Sequence, residues 1–223
     1  MPASSPPITR AMRAAGTRAA ILASARAAFA QAGYDGAGLR EIAHGAGVTA
    51  MMVNRYFGSK EQLFAEVVAA SMADPVILTP DNLASPNIGR ELASALVGLT
   101  NTGAHPLDGF LILFRSASSP VAARIAREQI AAIHQATAAN AMSDGTRAPQ
   151  RAAILLSLVA GIQMMRQMIG LAALTDCAPA VLVDLLAPLF QHVMSGRFES
   201  AGAAPRDDGA RPAARAAKRR GTA

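Results

Sequence analysis

The sequence has very few of the residues that build disulfide frameworks or metal centres. Its 223 residues include one cysteine, Cys177, and no tryptophan, and aromatic residues make up only 4%. A single cysteine excludes an intrachain disulfide and any multi-cysteine metal site, which fits a reducing compartment. The first seven residues lack an apolar stretch behind a basic start, so no secretory signal is expected. These absences predict a cytoplasmic protein.

Residue patterns that would indicate an enzyme are also missing. No phosphate-binding glycine loop and no nucleophile elbow occurs. Cys177 is followed by Ala-Pro and has no catalytic partner nearby in the sequence, so we interpret it as a buried or incidental thiol. No metal-ligand spacing relates the four histidines, His44, His105, His134 and His192. The sequence therefore predicts no catalytic residues, no metal and no cofactor.

Helix-forming residues are what the sequence has in abundance. Hydrophobic residues make up 52% of the chain, and alanine and leucine are frequent among them. Alanine, leucine, methionine and arginine all favour helices. Neither strand-like alternation nor a fixed-period repeat is present. An all-α fold is therefore predicted.

Apolar periodicity and capping residues predict where the helices lie. A first helix runs from Thr17 to about Gly33, and a fourth begins at Ser59, which can cap it. Between them we predict two short helices, over 39–45 and 49–57. Residues 74–87 contain three prolines and are predicted to form a connection. Later helices are predicted over 88–100, 107–117, 121–141, 150–174 and 179–194, the last weakened or kinked by Pro188.

Charge is distributed unevenly along the chain. Residues 1–60 contain seven basic and two acidic side chains, whereas residues 61–198 contain eight and ten. A basic head on a slightly acidic body indicates that the head meets a polyanion. Charge scattered only for solubility is the alternative. The predicted domains are a disordered basic arm (1–14), a three-helix head (15–60), a helical body (61–198) and a disordered basic tail (199–223).

One stretch, Ala152–Leu174, is about long enough to cross a bilayer. Its polar residues form a single stripe, however, and Arg166 lies near the middle. Arginine at mid-bilayer costs roughly 2.5–3.5 kcal/mol or more. A two-faced helix packed in a protein core or a dimer seam carries no such cost. We therefore predict that this protein has no membrane span.

The segment from Leu39 to Phe57 has the features of a helix-turn-helix. Ala43 is small enough for two helices to approach each other, and Gly47 can adopt the left-handed turn conformation. Thr49 then opens the second helix, where its hydroxyl can cap free N–H groups or donate to a phosphate. Apolar side chains at helical spacing are expected to pack against Phe29 of the first helix: Ile42, Val48 and Val53.

At this point the sequence resembles the tetracycline-repressor (TetR) family of regulators. The resemblance extends from Arg18 to Val67 and consists of several short pieces in the right order and spacing. These pieces are Ile21-Leu22, Ala28-Phe29, Gly33-Tyr34, Ile42-Ala43, Ala46-Gly47-Val48-Thr49 and Tyr56-Phe57-Gly58-Ser59-Lys60-Glu61. The resemblance implies an all-helical homodimer with one DNA-binding head per subunit and a larger domain that binds a small molecule.

This resemblance, combined with DNA chemistry, suggests which residues contact DNA. The helix over 49–57 is expected to enter the major groove, where Asn54 could pair with adenine and Arg55 with guanine. Thymine methyl groups or the groove wall would be touched by Ala50, Met51 and Met52. Phosphate contacts, which set the register, are expected from Thr49, Tyr56 and Lys60. A purely structural head, or a head that no longer binds DNA, is the alternative, and the intact 56–60 run argues against the latter.

The chain departs from the family pattern within this segment. Met51 stands where relatives commonly have a small residue, and Asn54 stands where they commonly have an aromatic one. Thr or Ser is also common in relatives near Ala37-Gly38. The usual operator contacts of the family therefore cannot be transferred to these positions, and the operator sequence is not predicted.

The body contains residues that could line a cavity for an effector. Methionine-rich walls adapt to varied apolar ligands. The candidate lining residues are Leu107, Phe110, Leu111, Phe114, His134, Met164, Met165 and Met168. The same spacing is also typical of an ordinary hydrophobic core, and both readings stay open.

The last two helices are predicted to form the dimer seam, as an intersubunit four-helix bundle. Their apolar stripe contains Leu182, Leu185, Leu186, Leu189 and Val193, and an intramolecular core is the alternative. The overall prediction is a homodimeric transcription regulator of double-stranded operator DNA. It is expected to act as a repressor that a small, largely apolar effector releases, with activation as the other possibility.

Overall fold

A computed structural model gives the structure of residues 10–101, 108–142, 145 and 147–196, and every regular element among them is helical. The all-α prediction is confirmed. In chain order the helices are α1 (Arg10–Gly36), α2 (Leu39–Gly45), α3 (Ala50–Phe57), α4 (Lys60–Met72), α5 (Pro80–Ala84), α6 (Ile88–Leu99), α7 (Asp108–Ser116), α8 (Pro120–Ile130), α9 (Ala136–Asn140), α10 (Ala148–Gln163), α11 (Ala172–Thr175) and α12 (Pro179–Ser195). Two segments are π-helical: π1 (Ala131–Gln135) joins α8 to α9, and π2 (Met164–Ile169) extends α10.

Helices α3 and α4 begin directly after the capping residues that the sequence predicts. Thr49 caps α3 by accepting a hydrogen bond from the backbone N–H of Met52, and Ser59 caps α4 in the same way. The expectation for the arm is partly wrong, because α1 begins at Arg10 and residues 10–14 are helical. Residues 1–9 and the expected tail over 199–223 lie outside the described residues.

The later helices keep the predicted order but differ in detail. The proline-rich connection contains the short helix α5, which Thr79 caps. The predicted helix over 150–174 stops at Ile169, because Gly170 adopts a left-handed conformation with φ of 68°. Helix α12 continues past Pro188 over its full length. The proline thus does not end the helix, and the weakening or kink that we expect there stays a prediction.

A first hydrophobic core joins the head to the body. Phe29 and Phe64 pack edge to face with ring centroids 5.0 Å apart, and Tyr34 packs on Phe64 at 5.1 Å. The same core contains Ile112 from α7 and Ile125 from α8. Each fully buried large apolar side chain stabilises the fold by about 1.5–3 kcal/mol. The helices of the head therefore pack on body helices as well as on one another.

A second core lies within the body, between α6, α10 and α12. Leu92, Leu96 and Phe190 are fully buried there. Two buried arginines hydrogen-bond to carbonyl groups at helix ends: Arg151 at the end of α12, and Arg166 at the end of α6. A cation at a helix C-terminus is favourable because the helix dipole is negative there.

Gly33 lies where α1 touches the end of α7. Its backbone has φ of 68° and ψ of −179°, a region that essentially only glycine adopts. A Cβ atom on this residue would lie 2.5 Å from the backbone oxygen of Arg115. Because that neighbour is backbone, the helices would have to move apart to admit a side chain. The glycine thus permits the close contact between α1 and α7.

We expect Gly33→Ala to lower the free energy of unfolding by about 1–3 kcal/mol, the usual cost of strained backbone. Thermal denaturation followed by circular dichroism at a fixed protein concentration measures the change. Gly98→Ala is the matched control, since Gly98 lies in α6 and a Cβ there would meet nothing within 4 Å. Equal stability of the two variants would contradict the assigned role of Gly33.

Candidate DNA interface and ligand cavity

Helices α2 and α3 are joined by a tight turn at Gly47, whose φ is 67°. Ser24 of α1 donates a hydrogen bond from its hydroxyl to the carbonyl of Ile42 at 2.8 Å and so ties α2 to α1. Val53 and Phe57 on the inner side of α3 are buried in the first core. These contacts fix the orientation of α3 and leave its other side uncovered.

The outer side of α3 carries the residues that the sequence assigned to base reading. Asn54 and Arg55 are exposed. Met51 is 81% exposed, an unusual state for a large apolar side chain. Ala50, Met52 and Tyr56 are partly buried at the edges of this surface. The structure therefore brings the predicted base-reading residues onto one accessible helix face.

The predicted phosphate contacts lie at the two ends of α3. The Thr49 oxygen accepts from the backbone N–H of Met52 at 3.4 Å, which leaves its hydroxyl hydrogen free to donate. Lys60 is the first residue of α4, and its Nζ lies 4.7 Å from the centroid of the Tyr34 ring. Burial, with a smaller contribution from Glu61, raises the pKa of Tyr34. Its ring is therefore a neutral support for the lysine charge.

A different basic residue of the head is engaged in the fold. Arg18 forms an ion pair with Glu66 of α4, and its guanidinium lies 4.8 Å from the centroid of the Phe57 ring. Arg40 and Arg55, by contrast, are exposed. These basic residues look alike in the sequence. In the structure, however, Glu66 compensates the charge of Arg18.

The end of α1 is clamped to the end of α7 by polar contacts. Arg115 donates hydrogen bonds to the carbonyl groups of Ala30 and of Gln31, the latter at 2.9 Å. The backbone N–H of Tyr34 donates to the Ser116 hydroxyl at 2.9 Å in a buried position. These hydrogen bonds hold the end of α1 against the end of α7.

A cavity of about 640 Å³ lies beside this junction. Its wall comes from α1, α4, the loop over 73–79, the ends of α6 and α8, α7, π1, α10 and π2. Most of the wall is apolar, and the rings of Phe110 and Phe114 stack with centroids 6.0 Å apart. The volume is in the range of pockets that hold small organic ligands. The cavity thus touches both the head, through Arg26 of α1, and the body.

Only some of the residues predicted to line a cavity do so. Four of them are on its wall: Phe110, Phe114, His134 and Met164. The expectation is wrong for Leu111, which packs against the first core, and for Met165, which is 37% exposed. Met168 is not on the wall either, and Leu107 lies outside the described residues. Helical spacing in the sequence does not distinguish a residue that lines the cavity from one that packs in a core or faces solvent.

The polar part of the cavity wall was largely missed by sequence reasoning. Arg26 was counted only as a head charge, although it lines the cavity and pairs with Asp108 at 3.4 Å. Gln163 and Gln167 also line it. Burial lowers the pKa of His134, so this side chain is neutral near pH 7. The Gln-x-x-x-Gln spacing, with both amides on one helix face, was the available signal.

A large apolar face is exposed on the body, along α10, π2 and α12. Leu185 is 63% exposed and Ile169 is 65% exposed. The face also contains Ile154, Met165, Leu171, Val181 and Leu189. The seam prediction is wrong for Leu182, Leu186 and Val193, which are buried in their own subunit, and it stays a prediction for Leu185 and Leu189. This part of the stripe belongs to the intramolecular core that the sequence left as the alternative.

The same face explains a membrane-like signal. Among the residues that the structure describes, one helix, Ala148–Ile169, is long and apolar enough to cross a membrane by length and composition. Arg166 within it is 8% exposed and points into the protein, where it donates to carbonyl groups of other helices. Arg166 on the polar side of this helix therefore contacts other helices of the protein, whereas apolar residues on the other side, such as Ile154 and Ile169, are exposed.

Within the described ranges, no group of three or more His, Cys, Asp or Glu side chains could hold a metal ion. Cys177 is partly buried and its thiol contacts the carbonyl of Ala178.

Comparisons with known proteins cover both halves of the chain. Residues 21–67 match the family described as bacterial regulatory proteins, tetR family, and residues 87–194 match the tetracyclin repressor-like C-terminal domain. None of the curated proteins matches the sequence.

Several solved structures share the fold. A TetR-family regulator from Streptomyces coelicolor is 22% identical with a TM-score of 0.53, covering 86% of this chain and 99% of that chain. A TetR-family transcriptional regulator from Rhodococcus sp. is 19% identical with a TM-score of 0.62, covering 81% and 100%. GusR from Salmonella enterica is 14% identical with a TM-score of 0.60, covering 84% and 98%. At such identities the likeness establishes the fold alone.

The two family matches follow each other in the order of the head and the body and together cover more than two thirds of the residues. A helix-turn-helix with an exposed second helix precedes a helical body with its own core and cavity. The chain therefore belongs to the TetR family of bacterial transcription regulators, which are DNA-binding proteins and not enzymes.

Proposed function

We propose that this protein is a cytoplasmic, homodimeric repressor that leaves its operator when a small, largely apolar effector fills the cavity. The observation that carries the proposal is the position of the cavity, whose wall includes α1 of the head, α4 and α7. In this proposal residues 15–60 bind DNA, and residues 61–198 bind the effector and form the dimer.

DNA recognition is assigned to the exposed side of α3. Asn54 and Arg55 carry side chains that can form paired hydrogen bonds with adenine and guanine in the major groove. Met51 at 81% exposure supports an apolar contact with thymine methyl groups. Thr49, Tyr56 and Lys60 at the ends of the helix are suited to phosphates.

Dimer formation is assigned to the exposed apolar face of α10, π2 and α12. Exposed apolar patches of this kind mark sites of association. Two copies related by a twofold axis would present two heads, and heads about one DNA turn apart bind a nearly palindromic site. The dimer is thus required for tight binding in this proposal.

The coupling runs through the clamp between α1 and α7. Phe110 and Phe114 of α7 line the cavity, and Arg115 of the same helix holds the carbonyls of Ala30 and Gln31. An effector that favours one position of α7 therefore favours one position of the head. Such a ligand shifts the population of dimers toward one spacing of the heads.

DNA selection tests the proposal. The wild-type protein is incubated with fragments of its source genome at moderate salt, and the bound fragments are sequenced. We expect Arg55→Ala to weaken binding to the selected fragment at least about tenfold, since a bidentate base contact contributes roughly 1–3 kcal/mol. Fluorescence anisotropy at fixed ionic strength measures this loss.

Two comparisons sharpen the experiment. Arg127→Ala removes an exposed arginine of α8 and is expected to leave the affinity unchanged. Lys60→Ala is expected to weaken all fragments about equally, because a phosphate contact carries no sequence information. If the wild-type protein selects no fragment, the assignment of α3 to DNA is wrong. If a compound that fills the cavity leaves the affinity of the protein for the selected operator unchanged, the proposed coupling between the cavity and the head is wrong.

A further inference from the structure

Lys60 carries a charge that no carboxylate compensates. Its Nζ lies 4.7 Å from the centroid of the Tyr34 ring, within the range of a cation–π interaction. Among the described residues, the ion pairs that form involve arginine, and none involves this lysine. An aromatic ring attracts an ammonium group but has no net charge that could neutralise it. Lys60 therefore keeps its full charge for a phosphate.

The ring beneath Lys60 is fixed by the fold. Tyr34 is buried and packs on Phe64, and its backbone N–H donates to the Ser116 hydroxyl of α7 at 2.9 Å. A lysine side chain has many rotamers, and ordering it when a ligand binds costs free energy. A rigid ring that already orients the ammonium group reduces this cost. Tyr34 thus prepares the lysine at the start of α4 for binding.

Two carboxylates near the same ring could oppose a phosphate. Glu61 follows Lys60 in the chain, and Asp35 follows Tyr34. Burial raises the pKa of Tyr34, and the negative charges of Glu61 and Asp35 raise it further, which agrees with their proximity. An uncompensated carboxylate at this place would repel a DNA phosphate and offset part of the attraction of the lysine.

Residues of the body bind both of these carboxylates. Arg124 of α8 places a guanidinium nitrogen 3.2 Å from a carboxylate oxygen of Glu61. Ser119, which directly precedes α8, donates its hydroxyl to Asp35 at 3.1 Å. The two carboxylates are thus held toward α8, and a positive charge compensates the one that neighbours Lys60 in the chain.

We propose that Tyr34 and Arg124 are positioning residues for a phosphate contact of Lys60. The Tyr34 ring orients the ammonium group, and Arg124 compensates Glu61 so that this carboxylate does not repel the phosphate. The inference rests on the proposed function, because it requires that Lys60 meets DNA. It adds a residue of the body, Arg124, to the determinants of DNA affinity.

Charge variants of the full chain distinguish this role from a purely structural ion pair. The probe is a short double-stranded DNA of random sequence, since a phosphate contact does not read bases. Fluorescence anisotropy at low, fixed ionic strength should show Glu61→Gln binding about threefold more tightly than wild type and Arg124→Met about threefold more weakly. The double variant should bind like wild type, because both charges are removed together.

A purely structural ion pair predicts a different result. Glu61→Gln would then break the contact between α4 and α8 and weaken binding as much as Arg124→Met does. Because Glu61 and Arg124 are exposed, these variants are expected to fold. Thermal denaturation of each variant checks this expectation.

The ion pair between Arg90 and Asp184 provides a matched control. It joins α6 to α12 with 2.6 Å between exposed side chains, and both helices belong to the second core within the body. Arg90→Met and Asp184→Asn remove the same kinds of charge and should change the affinity by less than about 1.5-fold, because salt screens distant charges. Shifts as large as those at Glu61 and Arg124 would reflect net charge alone and would overturn the inference.

Aromatic variants test the role of Tyr34. Tyr34→Phe keeps the ring and should retain the wild-type affinity. Tyr34→Leu should weaken binding about threefold and lower the slope of log K against log salt by up to about 0.9, the value for one phosphate contact. In a Lys60→Ala background, Tyr34→Leu should cause no further loss. The exposed charge variants test the inference even if loss of the buried ring prevents folding.

The outcomes separate this inference from the proposed function. Shifts of Glu61→Gln and Arg124→Met in the same direction, no shift in either, or a loss in Tyr34→Leu that persists without Lys60 would overturn the positioning role. If Lys60→Ala left the affinity for random DNA unchanged, the phosphate contact would be wrong as well. The operator selection, the Arg55→Ala result and release by an effector do not depend on these variants.

Discussion

Replacing Leu185 and Leu189 together by glutamate is expected to convert the dimer into monomers and to weaken operator binding by about 1,000-fold, towards non-specific levels. Leu185 and Leu189 are 63% and 50% exposed on α12, and their burial between subunits is the proposed source of association. Four carboxylates at a twofold seam would have to be desolvated together, which is prohibitively unfavourable. Each monomer would then carry one head and contact one half-site.

The measurement combines sedimentation velocity with operator titration. The matched control is Ala84→Glu with Ala136→Glu, which adds the same charge at exposed positions of α5 and α9. The control should remain dimeric and retain the affinity of the wild type. A Leu185/Leu189 variant that is still a dimer would place the seam on another surface. A monomeric wild type that binds its operator tightly would overturn the dimer proposal itself.

Arg166→Met is expected to lower the free energy of unfolding by about 3 kcal/mol, because buried acceptors lose their donor. The guanidinium donates to the carbonyl of Val97 at 3.2 Å, to that of Leu174 at 3.1 Å and to the Thr100 hydroxyl oxygen. Burial lowers the pKa of Arg166, yet arginine stays protonated in proteins. Its charge is opposed by the negative end of the α6 dipole.

Methionine is chosen because it keeps the apolar stem and removes only the donors. A buried ion pair can sometimes be replaced by apolar residues without loss, but that requires both partners to change. Here the backbone carbonyls remain. For a domain of this size, the expected loss corresponds to about 6–12 °C in melting temperature. Denaturation is compared at equal protein concentration, since dimerisation stabilises by mass action.

Arg127→Met is the control for this substitution. Arg127 is exposed on α8, and surface changes of this kind usually stay within about 0.5 kcal/mol. If Arg166→Met were as stable as the control, the buried network would contribute no net stability, and the capping role of Arg166 would be wrong.

The head could be predicted from the sequence because local rules and tertiary packing agree there. Helix α2 spans Leu39–Gly45 as predicted, and the caps at Thr49 and Ser59 follow from side chains that accept backbone N–H groups. Only one side of α3, with Val53 and Phe57, packs against the core, so the residues on its other side must be exposed.

The body was less predictable because one apolar pattern has several outcomes. Leu182 and Leu185 are adjacent members of one stripe, yet the first packs inside the subunit and the second is exposed. Periodicity reports that a face is apolar but not which partner covers it. Arg26 likewise looked like any head charge, since its place on the cavity depends on how α1 meets helices distant in sequence.

The π segments also have no sequence signature, although their backbone has an evolutionary consequence. A π turn holds more residues than an α turn, and π1 lies between the regular helices α8 and α9. An inserted residue can therefore be absorbed at such a turn without rotating the rest of the helix. Gaining or losing one residue at π1 would change which side chains line the cavity while α8 and α9 keep their positions. Ligand specificity in such sensors can diverge by a change in length as well as by replacement of side chains.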